Sequence, residues 1–428
     1  MLEILRLRLF YLLLCVSLAA ACTADREAVE SAAPESTTKV AEIGIYAENA
    51  DTAEPAIAAG EGGIVHVAYV EHRADKTADI YIQAVSPDMK LSGPRVRVNK
   101  VEGEAKTWGG DPPTIAANKG AIYVGWTRRV RSAEGSGTDL MVSVSRDGGT
   151  TFDDAVKVND DTMPASHGMH SLALGKNGEV FAAWLDERAL RENKAVHTMH
   201  HTGDTEAAEP NSEVYFAVSR DGGRTFSANR KIAGDVCPCC KTSMTVSPEG
   251  RLYLSWRQVL PESFRHIAVA VSDDGGKTFS SPVVVSNDQW QLNACPVSGA
   301  SMAAGTDGKL EVVWYTAGNA GPPGLYKAES INGGKSFEPR SLVSTDAVGG
   351  PPILLNAGNG AAIYIFSASD GRVVLAASDK PLVGEMSKGN APAAVLINGK
   401  VITVFVRPDG DIRSVRIGAK GIDELLKR

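Results

Sequence analysis

No basic run occurs anywhere in this chain of 428 residues, and Asp and Glu (51) outnumber Lys and Arg (44), for a formal charge of −7. A surface that recruits a polyanion needs the opposite balance, so nucleic acid is excluded as a partner. Aromatic residues are scarce too, at 6%, yet 43% of the residues are hydrophobic and only 22% charged. That composition can bury a real core and excludes a disordered chain. The apolar run from Leu9 to Ala21 is too short to span a bilayer comfortably.

Arg6 and Arg8 precede that run, which ends in Ala19, Ala20, Ala21 and Cys22, so residues 1–21 read as an export signal. Small residues directly before a cysteine resemble the bacterial lipoprotein processing site, in which the cysteine becomes the acylated first residue of the mature chain. Cys22 is then the lipidation site and the chain's membrane contact; simple cleavage after an A-x-A site is the alternative. Residues 22–39, mostly Ala, Ser, Thr, Glu and Pro, have almost nothing to bury and make a flexible tether. The folded part spans 40–428, and the expected location is the bacterial cell envelope, periplasmic or surface-facing.

Glycine, at 43 residues, is in excess and predicts many tight turns. An eight-residue phrase occurs four times: Ser145, Asp147, Gly149 and Phe152 mark the first copy, Ser219, Asp221, Gly223 and Phe226 the second, Ser272, Asp274, Gly276 and Phe279 the third, and Ser330, Asn332, Gly334 and Phe337 the last. Each copy follows an alternating strand pattern and precedes a short strand. The Asp side chain accepts local backbone N–H groups, the paired glycines supply positive φ, and the Phe plugs the adjacent core. A wider repeat places an aromatic at the end of an alternating apolar stretch: Tyr69, Trp126, Trp184, Trp256, Trp314, Phe366 and Phe405. Their spacings of 57, 58, 72, 58, 52 and 39 residues approximate the length of a four-stranded blade.

The phrase resembles the Asp-box, or bacterial neuraminidase repeat, of the sialidase-like β-propellers. That resemblance covers nearly all of the chain from residue 40 and implies an all-β propeller of four-stranded antiparallel blades. Seven aromatic units count as seven blades, the strand near Ala41 to Tyr46 completing the last one and closing the ring. Six blades, as in the sialidases, result if the short final repeats merge. In such a blade the first hairpin and the Asp-box share one face, and the loops after each aromatic strand and between blades make the other, the ligand face.

Unusual residues gather on the ligand face. Beyond Cys22 the chain has four cysteines, Cys237, Cys239 and Cys240 in one loop and Cys295 in the next. In an exported protein these make two disulfides, one joining the triplet to Cys295; a Zn²⁺ or Cu(I) site is the alternative. Lys241 stands where a haem-attachment motif needs His. Two His/Met groups, His167, Met169, His170 and His197, Met199, His200, His201, combine donors that copper favours, against the plainer reading of a solvated loop and backbone-bonded histidines. No cofactor is required by the resemblance.

A sialidase also needs an arginine triad for the substrate carboxylate, a Tyr activated by Glu, and an Asp acid/base. The resemblance offers Arg128, Arg188 and Arg257 for the clamp, Tyr315 with Glu187 for attack, and Asp186 or Asp75 for proton transfer. The Arg-Ile-Pro signature of the sialidases is replaced by Ala53, Glu54, Pro55, Ala56 and Ile57, so its Pro is kept and its Arg is not. Solvated rim arginines paired with neighbours such as Asp186 are the competing reading. Three functions stand open: a propeller binding a glycan or small extracellular ligand, an exo-glycosidase, and an exported metal-handling protein.

Overall fold

A computed structural model describes residues 42–46, 49–190, 211–357, 361–378 and 380–422. The export signal, the tether, Cys22, and the second His/Met group (His197, Met199, His200 and His201) lie outside the described residues. The folded unit spans Val40–Arg428.

The architecture is nearly all-β and is built from four-stranded antiparallel sheets, consistent with a sialidase-like propeller. Up-and-down meanders occupy 51–97, 114–157, 167–236, 243–284, 300–344 and 353–388, and a further one runs from 390 to 421. The third and fourth of these are joined into one sheet by a single pair, Val236 beside Gln258. To the last meander the N-terminal strand Glu42–Gly44 adds a fourth member, Ile43 pairing with Ile417. Arg407 fastens that strand through Glu42 at 2.8 Å. Each meander's first strand packs on the first strand of the next, and Asn390–Ile397 packs back on Asp51–Ala59.

The seven repeated aromatics lie on the second strands and are all buried. Alternation puts every second residue of these strands against the neighbouring sheet, and large rings fill the wedge between sheets. Three of the indoles also donate to a polar partner: Trp184 Nε1 to Asp186 at 2.8 Å, Trp256 to Gln258 at 2.7 Å, and Trp314 to Asp288 at 2.7 Å. A buried indole N–H left unpaired costs about 1–3 kcal/mol; for Trp184 and Trp256 the partner lies two places on, for Trp314 it is Asp288 from a preceding loop, and among the described residues Trp126 Nε1 has none.

The four repeated phrases fold alike. Ser219 Oγ donates to Asp221 Oδ1 at 2.7 Å and accepts from Gly223 N at 2.8 Å, while Thr225 gives its N–H and hydroxyl to the same carboxylate. The copies at Ser145 and Ser272 repeat this pattern. In the fourth copy Asn332 stands for Asp, and its amide nitrogen donates to Ser336 Oγ instead. Gly223 has φ +84°, and a Cβ there would meet Val144 of the preceding sheet at 2.7 Å, so only glycine fits. Gly333 N donates to Gly308 O at 2.8 Å, which puts a phrase and a first-to-second hairpin at the same end of the sheets. The up-and-down order puts the connections between meanders at the opposite end.

Candidate functional site

Trp108, Gly109, Gly110 and Asp111 form a tight turn in the connection before the second meander, closed by Asp111 N donating to Trp108 O at 2.8 Å. The Trp108 ring folds back over Gly110, where a Cβ would lie 2.2 Å from it. It is 43% exposed, unlike the strand tryptophans, while Asp111 beneath it is buried. The turn caps a cavity of about 210 Å³ lined by Lys106, Trp108, Asp111, His167, Met169 and Glu187, with Pro238 closing one side. A larger and mostly apolar cavity of about 420 Å³ abuts the same turn through Gly109 and is walled by Pro296, Gly350, Phe366 and Ala391. The residues lining it carry no charge, whereas the smaller cavity is lined by ionisable groups.

Asp111 is the polar floor. Its Oδ1 faces His170 Nδ1 at 3.2 Å and Lys241 Nζ at 3.8 Å. Burial opposes its charge, but the attraction of His170, then its hydrogen bond, then Lys241 outweigh that and hold the carboxyl below its usual range. Its second oxygen borders Gly168, where a Cβ would crowd it at 3.0 Å. Lys241 donates to Pro112 O at 2.8 Å, and burial pushes its ammonium down to about 8 against the pull of Asp111. His170 Nε2 is buried with no hydrogen-bond partner. Of this trio Asp111 lines the cavity and presents its carboxylate there, with His170 and Lys241 behind it.

Behind the cavity lies a second charged knot. His167 is buried with Nδ1 on Thr138 O at 2.5 Å and Nε2 3.2 Å from Asp161 and 3.4 Å from Asp186. Burial disfavours the imidazolium, yet hydrogen bonds to Asp161 and then Asp186 overcome it and raise its pKa to about 9. Nδ1 is taken by Thr138 O and Nε2 faces the two carboxylates, and among the described residues only the cysteine triplet gathers as a cluster of His, Cys, Asp or Glu ligand atoms. A bulge between Gly168 and Ser171, with Met169 at φ +51°, turns the two histidines into different surroundings. Asp186 is fully buried and accepts from Trp184, from His167 and from the backbone and guanidinium of Arg188.

The residues that the resemblance offered for sialidase chemistry have other partners in this structure. Arg188 is spent on Asp186 and on Asp160 at 2.9 Å and stacks over Tyr215 at 4.3 Å. Arg128 pairs with Asp139 at 2.8 Å on its own sheet. Arg257 is fully buried and donates to Ser298 O at 2.8 Å and Tyr315 O at 3.0 Å, with Trp290 under its guanidinium at 4.8 Å. Among the described residues the three guanidiniums share no partner. Tyr315 packs edge-on against Trp290 rather than beside Glu187, which lines the cavity. Asp75 is an exposed turn residue accepting from Thr77 at 2.6 and 3.0 Å. Asp186, enclosed by donors, has no path to a substrate proton.

The cysteines divide differently from the expectation. Cys237, Cys239 and Cys240 are buried together, with Sγ–Sγ separations of 3.8 Å (237 to 239) and 3.3 Å (237 to 240), whereas Cys295 is exposed and outside their group. Cys240 Sγ instead accepts from Ser298 N at 3.4 Å. The loop positions brought the next connection near, but the residue that reaches the triplet is three places beyond Cys295.

Trp108, Asp111, Lys106 and Lys241 escaped the sequence reading. The available signal was a tryptophan followed at once by two glycines and an aspartate, outside any alternating strand pattern.

No family model and no curated protein sequence matches this chain. Among solved structures, a protein of unknown function from Dyadobacter fermentans DSM 18053 is similar over 89% of this chain and 98% of its own, at 16% identity and a TM-score of 0.50. The Hadza microbial sialidase Hz136 matches over 81% of this chain and 74% of its own at 14% identity and TM-score 0.46. The NanB sialidase of Streptococcus pneumoniae matches over 84% of each chain at 12% identity and TM-score 0.46. The likeness is of fold alone. Activity has to be argued from the site.

Proposed function

We propose that the chain is an exported Asp-box propeller of seven blades, the seventh completed by the strand Glu42–Gly44, that binds a glycan or another small extracellular ligand beneath Trp108 and carries out no sialidase chemistry. The exposed indole on a glycine-backed turn, standing over the Asp111 floor, carries this reading. An aromatic face of that kind accepts the apolar face of a sugar ring, while Asp111, Lys106 and Glu187 offer acceptors and donors to its hydroxyls. Arg128, Arg188 and Arg257 each bond to different groups of the chain, which argues against a shared clamp for a sialic acid carboxylate.

Screening the protein against a panel of glycans should give binding that Trp108→Ala weakens by at least about tenfold, the worth of a buried aromatic contact. Turnover of a fluorogenic sialoside by the wild type would overturn the non-catalytic reading, and binding indifferent to Trp108 would remove the proposed pocket.

Residues 1–22 support a lipid-anchored location in a bacterial envelope, with the tether carrying the propeller away from the membrane. Cells fed labelled palmitate should label the wild-type protein and not Cys22→Ser. Equal labelling of both, or none of either, rejects the anchor.

A further inference from the structure

The triplet Cys237, Cys239 and Cys240 flanks Pro238 at the cavity wall, but its sulfurs are no part of the ligand reading and ask for their own explanation. Its three sulfurs fall within 4.8 Å of one another, two pairs at 3.3 and 3.8 Å, and all three side chains are buried. Three thiolates around one ion with bonds of about 2.3 Å stand about 4 Å apart, so the observed spacing brackets a trigonal sulfur site. Among the described residues no His, Asp, Glu or further Cys joins the group. Zn²⁺ in a structural site takes four ligands, whereas a soft monovalent ion is content with sulfur alone.

Charge supports the same choice. Cu(I) held by three thiolates carries two negative charges, and isolated charge cannot be buried cheaply. Two arginines, Arg257 and Arg265, are buried on a pair of neighbouring strands, and Arg257 donates to Ser298 O at 2.8 Å while Ser298 N donates to Cys240 Sγ at 3.4 Å. Each keeps one guanidinium nitrogen, Nη1, without a hydrogen-bond partner. The arginine that the resemblance offered as a substrate clamp thus serves the thiol loop, which is also tied down by Cys237 N donating to Arg257 O at 2.9 Å.

We propose that Cys237, Cys239 and Cys240 form a three-coordinate binding site for Cu(I), with Arg257 balancing its charge. Binding forms three Cu–S bonds and releases the protons still held by the thiols, with no change of oxidation state. This goes beyond the ligand reading and does not depend on it.

Full-length protein, reduced and kept anaerobic, is titrated with Cu(I) in competition with a colorimetric Cu(I) chelator. One Cu(I) per chain should be withheld from the chelator, and X-ray absorption should count three sulfurs and no nitrogen. Replacing all three of Cys237, Cys239 and Cys240 by Ser should weaken retention by at least about 100-fold, whereas Cys295→Ser should retain Cu(I) as the wild type does. Should the triple variant fail to fold, the sulfur count and Cys295→Ser still decide. Loss of binding in Cys295→Ser, a shell of two or four sulfurs, preference for Zn²⁺ over Cu(I), or a Cys237–Cys240 disulfide that survives reduction with no Cu(I) bound each overturns the proposal.

Discussion

Asp186→Ala is expected to remove about 3–5 kcal/mol of folding stability, the scale for deleting one partner of a buried charge network. Asp186 is fully buried and serves four donors at once: the Trp184 indole at 2.8 Å, the Arg188 backbone and guanidinium at 2.9 Å, and His167 at 3.4 Å. Removing it strands an indole N–H in the core and leaves Arg188 and His167 to share Asp160 and Asp161. Urea unfolding followed by intrinsic fluorescence measures the loss as a fall in midpoint at unchanged slope. Asp186→Asn should recover part of it, because the amide oxygen still accepts, while its NH₂ faces donors. A loss below about 1 kcal/mol, with catalysis of any glycoside abolished, would return Asp186 to the role of proton donor and break the structural account given for it.

The residue's misreading from sequence has a physical origin. Local chemistry governs the four Ser-x-Asp/Asn-Gly-Gly phrases: the carboxylate or amide, the hydroxyl and the glycines all bond within five residues, so the phrase by itself specifies the hairpin. Alternation likewise settles which face Trp126 or Trp256 presents, and the seven buried aromatics follow from it. Nothing local says where a long cationic side chain finds its anion. Arg188 reaches Asp160, 28 positions back, and Arg257 reaches Ser298 O, 41 positions on. Those partners depend on how one sheet stacks on the next. The loop geometry is illegible for the same reason: Cys295 lies in the right connection for the thiol triplet, yet the backbone delivers Ser298 to Cys240 instead. At Met169 the single positive φ reassigns His167 and His170, and a β-pattern read from sequence contains no trace of it.

Stability should fall as pH rises from about 6.5 to 9, because His167 titrates near 9 in the folded chain and near 6.5 when unfolded. A shift of that size is worth roughly 3 kcal/mol. The sign follows from proton binding: across that window the native chain holds a proton that the unfolded chain has released, so the contribution is complete below about 6.5 and gone above 9. Lys241 works in the opposite sense. Its folded pKa of about 8 lies below the ordinary 10.5, so the buried ammonium costs stability at low pH, and the cost is relieved as pH climbs from 8 toward 10.5. The two contributions overlap, giving the wild type a minimum between pH 8 and 9. His167→Gln separates them, since Lys241 is common to both proteins and cancels in the difference. Unfolding midpoints at pH 6 and pH 9.5 should therefore draw together, the variant's deficit shrinking by roughly 3 kcal/mol at the higher pH. A deficit that stays constant across that span would mean that His167 carries no proton between Asp161 and Asp186, and that their attraction is not what holds the loops behind the cavity in place.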